Sequence, residues 1–258
     1  MAVTSVQLLA LPGFPLVQPG DDLAVLIAGA MAAAGTEFVD GDVLVVAQKI
    51  VSKAEARYVQ LSAVTPSARA REIARVVDKD PRLLEVILSE SVAVLRQTAT
   101  VLIVEHRLGF IMANAGVDAS NIEHGDGPLG GRVLLLPLDP DASAAKLRVA
   151  IRAASGAEVA VIVNDSVGRA WRMGTTSMAL GASGLLSLWD RRGNVDLFGR
   201  PLQVTEVAVA DELAAAASLL QGEASEGQPV VLIRGLRLPA GDQPARTLLR
   251  PQQQDLFR

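Results

Sequence analysis

The stretch VAVIVNDSVGRAWRMG, residues 159–174, decides how the chain is read. Val159, Val161, Ile162 and Val163 form the β-branched run of a strand buried on both faces, and Asn164, Asp165, Ser166 and Gly168 break it. The strand is therefore expected to stop there and give way to a polar loop. Asp165 and Ser166 offer hard oxygens to a divalent cation, Gly168 lets a ligand approach the backbone, and Arg169 and Arg172 supply forked donors for phosphate or carboxylate. The competing reading is a polar turn in which Asp165 caps a following helix and the arginines face water.

Working outward, Val43 to Val46 make a second buried strand, followed by Gln48, Lys49, Ser52 and Lys53. Two lysines around a hydroxyl suit an anion, and otherwise make a solvated turn. In ANAGVDASN, residues 113–121, Asp118 is a candidate metal ligand and Asn121 a candidate donor to base, ribose or phosphate; an Asx-rich turn is the alternative. Residues 5–11 predict a first strand, then a Pro/Gly-rich loop from Pro12 to Gly20 and a helix capped by Asp21 or Asp22 through about Ala34. The pattern from Thr65 to Leu95 is helical, with Pro81 opening a second helix through Ser89. Val101 to Glu105 and Phe110 to Met112 predict paired strands, Glu123 to Arg132 a glycine-rich surface loop, and Val133 to Leu136 another strand. Asp139 and Asp141 then introduce a helix capped near Ser143 that runs to Ala153. Glu223, among small residues, can reach a metal or stand as a solvated acid before the last strand, Val230 to Ile233. The expected organisation is one α/β domain over residues 1–238 with a peripheral tail over 239–258.

Composition narrows the function classes. The chain has 258 residues, half of them hydrophobic but only 3% aromatic, so the core must be built from Ala, Val, Leu and Ile. Its net charge of −4 and scarce aromatics argue against a nucleic-acid partner. With no cysteine there are no disulfides, thiolate metal sites or Cys nucleophiles, and His106 and His124 are too isolated to pair on a metal. Pro12, Pro15 and Pro19 interrupt the apolar opening, so no membrane segment is expected and the chain reads as soluble and cytoplasmic. Neither a P-loop nor a dinucleotide-binding glycine motif is present. What is left is a metal-and-phosphate site assembled from scattered Asp, Glu, Ser, Asn, Lys and Arg, suited to phosphoryl transfer onto a carboxylate.

Six strings taken in order, PGFPLVQPGDDL, VVAQKIVSKAEAR, ANAGVDASN, LLPLDPDASAAKLR, VIVNDSVGRAWRMG and the run from Asp196 to Gly235, resemble the coenzyme F420-0:L-glutamate ligase (F420 gamma-glutamyl ligase) family. The resemblance implies a mixed α/β fold of intertwined sheets with flanking helices and a homodimer. It also implies a GTP-dependent enzyme with Mn2+ or Mg2+ that adds L-glutamate to coenzyme F420-0 through an acyl phosphate, releasing GDP and phosphate. By the same resemblance Phe14, Pro15, Leu16, Val17, Gln48, Lys53, Asn121, Gln221, Gly222, Ala224 and Ser225 would line the GTP site. Asp118, Asp165, Ser166 and Glu223 would hold metal. Arg169 and Arg172, with Lys53, are added from their charge as electrostatic helpers near Asp165. A non-catalytic nucleotide or deazaflavin binder, or an amide ligase with another acid acceptor, are the alternatives.

Overall fold

The computed structural model describes residues 5–123 and 131–256. It is a mixed α/β fold whose described residues form four sheets. His124 and most of the expected 123–132 loop lie outside the described residues.

The organising sheet has five strands: β1 (Gln7–Ala10), β2 (Val43–Ala47), β8 (Ala160–Arg169), β9 (Arg172–Ser183) and β12 (Val230–Arg234), in the spatial order β1-β12-β2-β8-β9. Only β2 and β8 run parallel, with Val43 opposite Ala160 and Ala47 opposite Asn164. Their continuous apolar runs follow from burial on both faces. Leu44, Val46, Val161 and Val163 face a layer made by α1 (Leu23–Ala33), α2 (Gln48–Ala54) and α5 (Pro140–Ser155), represented by Ile27, Val51 and Leu147. Val43, Val45, Ala160 and Ile162 face α6 (Val209–Gln221) through Leu213, Ala214 and Ala217. With so few aromatics, close approach does the packing, and Gly181 of β9 shows how close: a Cβ there would sit 2.1 Å from the Pro140 carbonyl oxygen of α5.

Between β2 and β8 the chain builds a second unit. It contains β3 (Tyr58–Gln60) paired with β7 (Arg132–Leu134), α3 (Ala68–Ile73), α4 (Pro81–Ser89), and the sheet β4 (Ser91–Gln97), β5 (Leu102–His106) and β6 (Ile111–Ala113). Its core is Ile73, Leu84, Ile87, Leu102 and Val104. Glu90 accepts from both Arg57 and Arg107, tying the entry of the unit to the turn after β5. A short ribbon, β10 (Trp189–Asp190) with β11 (Glu206–Val207), completes the elements used below.

Several local expectations are revised. The central strand does not stop at Asn164: β8 continues through Asp165 and Ser166 to Arg169 because β9 supplies a hydrogen-bonding partner along its whole length. No helix follows, so Asp165 caps nothing. Gln48 to Lys53 form α2 rather than a turn. Residues 91–95 belong to β4, since pairing with β5 overrides their local pattern. The cap of α5 is Asp139, whose carboxylate accepts from Ala142 N–H, and not Ser143.

Part of the stretch set apart as a tail packs on the body. Asp141, nearly buried at the start of α5, accepts from Ala182 N–H (2.9 Å), Ala245 N–H (2.6 Å) and Arg246 Nε (2.9 Å), and Ala245 is itself buried. One carboxylate thus clamps helix, strand and C-terminal segment together. Asp141→Ala leaves those donors unmatched and is expected to lower the unfolding free energy by about 3 kcal/mol. Denaturant melts should show the loss, and limited proteolysis should cut first near residues 239–249.

Candidate active site

Where the parallel pair β2/β8 ends, the chain opens a cavity of about 680 Å³. Its walls come from three places in the sequence. One is the loop Phe14, Pro15, Leu16, Val17 with Gln18; a second is α2 with Gln48, Lys49 and Lys53; the third is the segment from Gln221, the last residue of α6, to Pro229. The floor is the extension of β8 and β9, with Asn164, Asp165, Ser166 and Ser177. Asn121 and Ile122 close one side beside Tyr58.

Each wall is fixed by local chemistry. Residues 114–116 all take positive φ, at 54°, 54° and 65°, a left-handed turn that swings the chain toward the cavity. Gly116 is required in it, since a Cβ would lie 2.7 Å from the Leu136 side chain. Asp118 follows, held by a bridge to Leu134 and accepting from Ser120 N–H at 2.7 Å. Asn121 donates through Nδ2 to the Ala224 carbonyl (2.9 Å), and its own carbonyl accepts from Lys53 Nζ (2.6 Å), so one residue links two walls. On the floor Asn164 and Gln221 form a reciprocal amide pair, Asn164 Nδ2 to Gln221 Oε1 at 2.7 Å and Gln221 Nε2 to Asn164 Oδ1 at 3.2 Å. That pair docks the end of α6, and hence the Glu223 segment, against β8.

The electrostatics are unbalanced. Lys49 Nζ lies 2.7 Å from Asp118 Oδ2 and 2.6 Å from Ser120 Oγ. Burial pushes the Asp118 carboxyl up, but the Lys49 ammonium and the Ser120 donors outweigh it and hold the group below the usual carboxylate range. Lys53 goes the other way: burial, then repulsion from Lys49, lowers its ammonium. Asp165 is the least satisfied. Burial first, then the nearby charges of Asp118 and Glu223, push its carboxyl up to about 7, with Lys49 opposing. Two lysines, with the Asp165 and Glu223 carboxylates and Asp118 behind Lys49, therefore concentrate charge of both signs at one cavity.

Of the residues picked from sequence, Phe14, Pro15, Leu16, Val17, Gln48, Lys53, Asn121, Asp165, Ser166, Gln221, Gly222, Glu223, Ala224 and Ser225 all line this cavity. Asp118 stands behind it and touches it through Lys49. Arg169 and Arg172 are not brought there. They flank the two-residue turn of the β8/β9 hairpin, exposed to solvent, and Arg169 donates to the Gly174 carbonyl. The strand reaches past the cavity, and its rise of about 3.3 Å per residue puts Arg169 roughly 13 Å beyond Asp165. Reading the sequence missed Lys49 as the partner of Asp118, and Tyr58, Ile122 and Ser177 as lining. Ser177 had no local signal, because it reaches the floor only by pairing opposite Ser166 across the hairpin.

A divalent cation fits the donor set in part. Asp165, Glu223 and Ser166 offer hard oxygens along the cavity, and the buried Asp165 carboxyl, raised chiefly by desolvation, is a group whose charged form a bound cation would favour. Among the described residues, no three His, Cys, Asp or Glu side chains form a ready-made metal group, and Asp118 is engaged by Lys49.

The mixed α/β fold, with its charged cavity where the β2/β8 pairing ends, is that of a ligase, as the relatives of the chain show. The chain belongs to the F420-0:gamma-glutamyl ligase family, whose model matches residues 13–235. Among curated relatives, coenzyme F420:L-glutamate ligase of Methanothermobacter thermautotrophicus is 46% identical, over 98% of this chain and 99% of the relative. The enzyme of the same name from Archaeoglobus fulgidus is 42% identical over 98% and 96%, and that of Methanocaldococcus jannaschii 45% identical over 85% of each.

The Asp165 carboxyl also makes a stability prediction. In the unfolded chain it ionises near 3.8, in the fold near 7, so the folded state holds an extra proton between about pH 4 and 7. Without added metal, wild-type stability should fall across that window and level off above it. Asp165→Asn should remove this component, leaving the variant with the higher melting temperature at pH 8, and a saturating divalent cation should narrow the gap. Thermal melts as a function of pH with and without Mg2+ check all three.

Proposed function

We propose that this chain is a ligase that joins L-glutamate to coenzyme F420-0, with GTP as phosphoryl donor and Mn2+ or Mg2+ as cofactor. Family membership supports the ligase class. The observation that carries the site assignment is the convergence of Lys49, Lys53, Asp165, Ser166 and Glu223 on one cavity of a size suited to a nucleotide.

The reaction proceeds in two steps. The acceptor carboxylate forms a bond to the terminal phosphorus of GTP as the bond to GDP breaks, giving an acyl phosphate. The glutamate amine then attacks the acyl carbon, losing a proton, and phosphate leaves with its bonding pair. Lys53, its ammonium disfavoured by burial and by Lys49, regains a counter-charge when a phosphate binds beside it. Lys49 can swing between the Asp118 carboxylate and an incoming phosphate oxygen. The Phe14 to Val17 loop, Asn121 and the Gln221 to Ser225 segment enclose the nucleotide and limit water, which would otherwise hydrolyse the acyl phosphate. Asp165, Ser166 and Glu223, with Asp118 once released by Lys49, would hold the divalent cation, which supplies charge neutralisation on the transferring phosphoryl group.

A homodimer in the cytoplasm completes the proposal. No described helix is long and apolar enough to cross a membrane. Two projecting segments carry apolar tips, Met173 beside Trp171 at the hairpin turn and Leu197 with Phe198 in the 190–206 loop, and Met173, Leu197 and Phe198 are each at least 90% exposed.

Incubation with GTP, Mn2+ or Mg2+, L-glutamate and F420-0 should add one or more glutamyl units, read by mass, with GDP formed in step. Asp165→Ala should cut turnover by about a hundredfold or more while the protein stays folded. Product formation without GTP consumption would exclude the phosphoryl-transfer route, and full activity of the variant would remove Asp165 from it. Glutamylation of a different acid, with F420-0 inert, would favour an amide ligase of other specificity.

A further inference from the structure

The cavity floor carries one hydroxyl that neither the sequence motifs nor the proposed mechanism uses. Ser177 lies on β9 directly opposite Ser166 on β8, and it is 95% buried from solvent although it lines the cavity, with a relative exposure of 5%. In an antiparallel pair, side chains directly opposite share a face and stand about 5 Å apart at Cβ. The same face carries Asn164 opposite Ala179. Both polar ends of Asn164 are consumed by Gln221, and Ala179 has none to offer. The free polar capacity of this patch is therefore the two serine hydroxyls. Among the described residues, the Ser177 hydroxyl makes no hydrogen bond. That hydroxyl opens onto the cavity, where a ligand or solvent can take it up as a donor.

We propose that Ser177 is a substrate-binding residue of this site, donating its hydroxyl proton to an oxyanion, phosphate or carboxylate, seated on the floor beside Ser166. The proposal deepens the ligase reading and rests on it for the identity of the anion, but the presence of a Ser177 contact does not depend on turnover. Lys49 and Lys53 on the facing wall make the cavity attractive to anions, while Asp165 and Glu223 repel a bare one. A neutral donor at this point grips the anion without adding charge to the cluster. The two sources of such an anion are the terminal phosphate of the nucleotide and the carboxylate of the acid substrate.

The test compares wild type with Ser177→Ala and Ser177→Thr. Titration calorimetry with GTP and Mg2+, and separately with F420-0, reads binding without turnover; steady-state assays read KM and kcat. Ser177→Ala should weaken one anionic ligand about tenfold with an unchanged melting temperature, and Ser177→Thr, which keeps the hydroxyl, should restore most of the loss. Weakening confined to GTP identifies the phosphate, and weakening confined to F420-0 identifies the carboxylate. Affinities and KM values of Ser177→Ala within twofold of wild type for both ligands would overturn the proposal. So would equal loss in Ser177→Ala and Ser177→Thr accompanied by a lowered melting temperature, which marks a packing role. If wild type binds GTP or F420-0 yet forms no glutamylated product, the ligase reading fails while the calorimetric comparison still decides Ser177.

Discussion

The parallel pairing of β2 with β8 is the constraint on which the rest of the molecule depends. It is the one parallel contact in the principal sheet, and both strands are buried on both faces. Parallel strands cannot be joined by a tight turn, so the chain must travel from the end of β2 back to the start of β8. It uses that journey to build the 57–135 unit and α5. Their pairing ends with Ala47 opposite Asn164, where β2 leads into Gln48 and Lys49 while β8 runs on into Asp165 and Ser166. The place where the pairing stops is therefore the place where two chemically rich segments are forced side by side.

Around that point the protein holds charges that do not cancel. Asp118 pairs with Lys49, and Asp165 is raised first by burial and then by Asp118 and Glu223, against the opposing pull of Lys49 and the Ser166 backbone. The hydrogen bonds from Asn121 to Ala224 and between Asn164 and Gln221 keep these groups from relaxing apart. A cavity held in this way keeps its charged groups in place before any ligand arrives. Stability is given up locally and recovered in the close-packed layers of Ala, Val, Leu and Ile behind the sheet.

Much of this was legible in the chain. The β-branched runs at 43–46 and 159–163 mark doubly buried strands, and Asp22 and Pro81 mark helix starts because caps act through their immediate neighbours. The errors came where a distant partner decides the outcome. Asp165 and Ser166 look like loop residues until β9 pairs with them, and residues 91–95 look helical until β5 does. Arg169 and Arg172 have the right chemistry for an anion site, but extension of the strand carries them past it.

By itself, then, the sequence determined which segments are buried strands and capped helices, since periodicity and capping depend on residues within one or two turns. It also determined the absence of thiol and P-loop chemistry, and through six ordered strings the family. Only the tertiary structure decided that Lys49 pairs with Asp118, that Asn164 is locked to Gln221, and that Ser177 joins the cavity floor. Those contacts link positions from about ten to seventy residues apart, and their geometry is set by strand register and layer packing, which no local pattern of side chains encodes.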